Sequence, residues 1–334
     1  MKHFITRRTT LFGSAIWASG LGLSANLTAM SPAQSGILGR DTNEFDVIFR
    51  ESSGAVAAGF SDFAVRSPEG ITCGARLAYP LVFNKRLPVL IFIPDEGASA
   101  SHYDPLTGAL AAQDYFVISI DRRRVNGQTN RPSLSVDQLA EHRLRHFAEA
   151  RFLLDTIDAA AAVLGTQSDL VDASRVGTMG HGEGAWIAAG LGGWDSNGSP
   201  STRTRDGRVY AILGLLPTRS LSPTQVAPQR SPGGVNGLFI GDLTQMPIAQ
   251  ERSGLLGLGL PVNSTSFGGL IGVPTDGETK RANAEPQALA AAIASAVLFF
   301  DWTLRGNQDR KRELMNLDGR QIDGLSTPLQ LRRT

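Results

Sequence analysis

The residues of this 334-residue chain most able to do chemistry are gathered in a few short segments. The densest is Gly180-His181-Gly182-Glu183-Gly184, where a histidine and a glutamate flank a glycine inside a glycine-rich turn. Upstream, Asp95 and Glu96 stand side by side after an apolar run, and Tyr103 follows a few residues later. Glu96 and Glu183, if brought together, suit acid/base work, because neighbouring carboxylates push one pKa upward. Together with Asp95, His102 or His181, the same two glutamates offer oxygen and nitrogen donors for a cation. The plainer reading is that both glutamates face water, as most glutamates do. His142 and His146 are spaced to share one helix face, a metal-ligand arrangement. Arg143 and Arg145 beside them, and the lack of a third histidine, favour a solvated helix start instead. Gly254–Gly259 lacks the lysine or helix start of a phosphate-binding loop. Neither a metal nor a cofactor is expected.

These segments need a scaffold, and the hydrophobic pattern indicates one. Leu87–Ile93 and Tyr115–Ile120 are continuous apolar runs, the signature of strands buried on both faces. A helix-like stretch, Pro105–Ala112, separates them. Phe147, Ala150, Leu154, Ile157, Ala161 and Leu164 recur at helical spacing, with Gly165 as a stop. Arg175–Met179 reads as a strand running into the glycine-rich turn, and Ala185–Leu191 as the helix after it. Val209–Leu216 and Gly237–Ile240 are further strands, Gly254–Gly277 holds one short strand, and Ala288–Leu304 is a closing helix. Alternation of strand and helix predicts an α/β domain with a mostly parallel sheet. Pro217–Asn236 contains four prolines and reads as a long loop.

Composition narrows the function classes. The chain is 42% hydrophobic and 19% charged, with Lys+Arg 32 against Asp+Glu 31. A net charge of +1 offers no electrostatic footprint for nucleic acid. Cys73 is the single cysteine, so no internal disulfide forms. No uninterrupted apolar run approaches the roughly 20 residues of a bilayer span. At the N-terminus, Lys2, Arg7 and Arg8 precede a modestly apolar stretch from Leu11 to Leu23, with small residues Ser31 and Ala33 after it. Thr6-Arg7-Arg8-Thr9-Thr10-Leu11-Phe12 resembles a twin-arginine export signal. The expected organisation is a signal at 1–33, an extended arm at 34–60, the α/β domain at 61–310 and a tail at 311–334, with Arg332 and Arg333 at a frayed end. A soluble periplasmic or extracellular protein follows, without stable membrane insertion once the signal is cleaved. An uncleaved amphipathic anchor is the alternative.

Val176–Ala185 resembles the nucleophile elbow, G-x-S-x-G, of the α/β-hydrolase superfamily. Leu87–Asp121 is similar to the strand–turn–helix–strand region of dienelactone hydrolase-like and platelet-activating-factor acetylhydrolase-like proteins. Pro94-Asp95 stands where that family has a His-Gly turn, and Tyr103 and Asp121 match its Tyr and Asp. Asp172–Gly177 is similar to the lead-in to the elbow, and Phe299–Gly306 to the closing helix. The resemblance covers about residues 65–310. It implies an α/β-hydrolase fold, with helices on both faces of a mostly parallel central sheet.

The same resemblance exposes what is missing. Acyl transfer on such a fold needs a nucleophile, a histidine base, an orienting acid and two oxyanion donors. The nucleophile position is Gly182, and no histidine occurs in the 153 residues after His181. Asp242 is a slightly offset candidate for the acid, while Leu216-Pro217 after the preceding strand supplies none. The implied oxyanion donors are the backbone N–H groups of Glu96 and Glu183, which set two carboxylates beside a developing negative charge. The resemblance therefore implies a pseudoenzyme that binds a small, ester-like ligand or a partner. The alternative is a carboxylic ester or lactone hydrolase with a rearranged constellation, using Glu183 or Asp242 as base for water. A third possibility is an interaction protein whose pocket is filled by Pro217–Asn236. Oligomeric state is left open.

Overall fold

Leu87–Ile93 forms strand β3, and all seven of its residues are buried. Its side chains alternate between two cores: Leu90 and Phe92 enter one, Leu87, Val89, Ile91 and Ile93 the other. A strand covered on both faces has no polar side to show, which is why its sequence is continuously apolar. The computed structural model describes residues 45, 48–49, 58–66, 72–95, 98–120, 150–155, 157–193, 205–216, 235–241, 255–259, 286–322 and 328–333. Around β3 lie β1 (Ala58–Arg66), β2 (Thr72–Pro80), β4 (Phe116–Ile120), β5 (Val171–His181), β6 (Val209–Leu215), β7 (Asn236–Gly241), β8 (Leu255–Gly259) and β9 (Gln330–Arg333). They make one nine-stranded mixed sheet in the order β1-β2-β4-β3-β5-β6-β7-β8-β9. Pairings from β4 through β8 are parallel; β1 with β2, β2 with β4, and β8 with β9 are antiparallel. The α/β class read from the sequence is thus the observed one.

Helices cover both faces. Helix α1 (Asp104–Ala112) and α4 (Pro286–Arg305) pack on the face that Leu90 and Phe92 enter. The helical residues 150–155, α2 (Ile157–Ala161) and α3 (Glu183–Leu191) cover the opposite face. Right-handed crossovers require this division. The step from β3 leftward to β4 carries α1 over one face; the steps rightward from β4 to β5 and from β5 to β6 carry helices over the other.

Several expectations change. The long helix ends at Ala161 and continues as a 3-10 segment, Ala162–Leu170, with Gly165 at φ 62° inside it. At φ 62° and ψ −123° Gly165 is itself non-helical and breaks the helical run, as expected, although the turn before it is 3-10 rather than α. Residues 34–60 do not all form an extended arm. Phe45 and Ile48 are helical, 1% and 2% exposed, and part of the core. The backbone N–H of Phe45 donates to Glu313 on α5 (Gln308–Met315), and β1 begins at Ala58. Arg332 and Arg333 are not frayed, because β9 pairs with β8 from Arg333↔Leu256 to Gln330↔Gly259. Among the described residues one helix segment, Gln287–Arg305, is long and apolar enough to cross a bilayer by length and composition, which uninterrupted apolar runs did not reveal. Of its most apolar window, 78% is buried inside the fold, so packing against the sheet accounts for its apolarity.

The lower end of α4 is anchored by charge. Asp301 is buried and accepts the Tyr115 hydroxyl at 2.5 Å, with Arg305 bound to the same oxygen and Arg310 Nε 3.4 Å from the other. Arg305 also donates to the carbonyls of Gln113 and Asp114 at the end of α1, at 3.2 and 2.9 Å. Burial beside the Asp301 carboxylate pushes the Tyr115 phenol well above its ordinary value.

Candidate functional site

The connections after β3 and β5 leave in opposite directions and over opposite faces. The C-terminal ends of these neighbouring strands are therefore the topological switch point of the sheet, the place where open α/β sheets commonly take ligands in a crevice. Asp95 follows β3 and Gly182 follows β5, so sheet order brings these two together although 86 residues intervene.

The turn between β5 and α3 is built from glycines. Gly182 precedes α3 at φ 57°, ψ −119°, a conformation that side-chain-bearing residues adopt only under strain. Its N–H donates to Leu215 O at 3.0 Å, holding the turn against the end of β6. A Cβ at Gly180 would lie 2.1 Å from Gly184 O, and one at Gly184 would lie 2.1 Å from Ile93 O. The strand can thus turn sharply into the helix, and the helix can press against the end of β3, only without these side chains.

Asp95 closes the turn from the other strand. Its Oδ1 accepts the Glu183 N–H, the first of α3, at 2.9 Å. A Cβ on Gly182 would meet that oxygen at 2.4 Å and the carboxyl carbon at 2.5 Å. The Asp95 N–H in turn donates to the Tyr103 hydroxyl at 3.1 Å, and that hydroxyl lies 2.9 Å from His181 Nδ1. The tyrosine oxygen accepts from Asp95 and has both its proton and a second lone pair to offer, so the direction of its hydrogen bond with Nδ1 follows the His181 tautomer. Burial holds His181 below the usual imidazole range, with the nearby Asp95 carboxylate partly offsetting this. Tyr103 is fully buried, its ring 4.7 Å from Phe92 and 5.8 Å from His181.

The structure brings Asp95, Tyr103, His181, Gly182 and Glu183 into one cluster. The water-facing reading of Glu183 is corrected: this residue is 6% exposed, because the first turn of α3 is packed beneath the strand ends. Glu96 and Asp242 lie outside the described residues, as do His142, His146 and the 217–234 part of the long loop. His102 lies on the 3-10 turn Ala100–Tyr103, its Nδ1 buried without a hydrogen-bond partner among the described residues. Among those residues no group of three or more His, Cys, Asp or Glu side chains is placed to hold a metal ion.

Sequence reading missed the Asp95 carboxylate's engagement of the elbow and the Tyr103–His181 contact. One signal was available. Relative to the resembled family, an acid replaces glycine after β3 while glycine replaces serine after β5. Chemically, an N–H that holds Asp95 Oδ1 is not open to a developing oxyanion, and the carboxylate opposes a second negative charge beside it. The chain matches no family model, and no curated protein matches it either.

Proposed function

We propose that this chain is an exported α/β-hydrolase-fold protein of the dienelactone hydrolase and acetylhydrolase-like type, without serine-hydrolase catalysis, that retains a binding role. Its ligand would be a small, ester-like molecule, or a partner protein would use the same crevice. The strand order, the antiparallel β2 and the sharp turn after β5 support the fold reading. The observation that carries the loss of catalysis is Gly182 itself. It keeps the strained backbone of a nucleophile turn, φ 57° and ψ −119°, but carries no side chain, and a carboxylate fills the space beside it. No histidine follows in sequence to serve as base. Export rests on the twin-arginine-like segment at Thr6–Phe12.

The test is hydrolysis of short-chain aryl esters and lactones by the purified mature protein. The expected rate is that of buffer alone. Turnover abolished by Glu183→Gln or Asp242→Asn would instead establish the rearranged hydrolase.

A further inference from the structure

We propose that Asp95 is a built-in occupant of the elbow, an autoinhibitory contact that stands in for both the absent side chain at 182 and the anion the crevice would otherwise hold. The argument begins with the helix. The first N–H groups of α3 have no partner within the helix, and Gly182 has no side chain to cap them. Asp95 delivers the missing acceptor across the sheet, at 2.9 Å from Glu183 N. Tyr103 fixes the backbone that carries Asp95, at 3.1 Å, and is itself wedged between Phe92 and His181. The ends of β3 and β5 are thereby tied by a closed circuit through Asp95, Tyr103, His181, Gly182 and Glu183.

The circuit leaves room for one group only. With the Asp95 carboxyl atoms 2.4 to 2.8 Å from a Cβ at position 182, a side chain there and the carboxylate in this position exclude each other. Gly182 and Asp95 are therefore one unit. A ligand in the crevice must either do without the Glu183 N–H or evict Asp95 from it. The functional consequence deepens the proposed loss of catalysis and rests on that reading; the steric exclusion stands on the distances.

A double-mutant cycle tests the pair: thermal unfolding of the wild type, Gly182→Ala, Asp95→Gly and the double variant. Alanine at 182 incurs the same backbone strain in both backgrounds, so the difference isolates the clash. The Tm loss from Gly182→Ala is expected to fall by at least half when Asp95 is already glycine. A soluble double variant beside an insoluble Gly182→Ala supports the pair equally. Equal losses in the two backgrounds overturn it. Should every alanine variant fail to fold, amide exchange decides. Asp95→Gly is expected to speed exchange at Glu183 at least tenfold, while Asp95→Asn, which keeps an acceptor oxygen, leaves it within a few fold. Unchanged exchange in Asp95→Gly overturns the proposal. Ester turnover by the wild type would defeat the loss of catalysis alone, so the two failures are distinguishable.

Discussion

Two carboxylates, each near a buried tyrosine, are handled in opposite ways. Asp301 at the end of α4 takes the Tyr115 hydroxyl directly and is paired with Arg305 and Arg310. Asp95 at the end of β3 holds a backbone N–H of α3, and among the described residues it has no ion pair; its tyrosine hydroxyl is turned toward His181. A carboxylate whose charge is neutralised on site locks helix to helix. One held by a peptide N–H instead ties the end of one strand to the first turn of a helix. The first arrangement ties two helices together, and the second fills the space beside Gly182.

The largest expected effect is at the stabilising end. Asp301→Ala removes the carboxylate shared by Arg305 and Arg310 and leaves the buried Tyr115 hydroxyl without its acceptor, a loss of about 3–5 kcal/mol by analogy with broken buried pairs. Denaturant unfolding checks this, and a loss no greater than that of a surface substitution would erase the contrast. Next comes Tyr103→Phe, which leaves the Asp95 N–H without its hydroxyl and changes the surroundings of His181 Nδ1. About 1–3 kcal/mol should be lost, with the His181 ring resonances shifting in the NMR spectrum.

The smallest effects are in pH. Tyr115 has a raised folded pKa, so its contribution is fully present below about pH 10, its ordinary value, and is lost as pH rises beyond it. His181 has a lowered folded pKa, so its contribution is present above about pH 6.5, its ordinary value, and is lost as pH falls through the depressed one. Stability against pH should therefore lose its alkaline limb in Tyr115→Phe and keep it in Tyr103→Phe. The opposite assignment would mean the two tyrosines had been misread.

What the sequence disclosed about each region follows from how local the signal is. β3 and β4 were plain because burial on both faces makes them continuously apolar, and β5 was plain because its glycines mark the turn. β1 and β2 were not, since AGFSDFAVR and TCGARLAYP mix small, charged and apolar residues; Arg76 and Asp62 pair across them. β9 reads as a polar terminus and becomes a strand only by pairing with β8. At the site, the glycines at 180, 182 and 184 marked the sharp turn by residue type alone. The position of Asp95 did not show, because it depends on β3 and β5 being neighbours. That adjacency is a property of sheet order, not of any local pattern.

The most direct test of the central claim is intact mass measurement of the purified protein after exposure to a serine-directed fluorophosphonate. An unmodified mass is expected, with no acyl adduct on incubation with an aryl ester. A stoichiometric adduct mapping to a serine in the crevice above Gly182 would contradict the account.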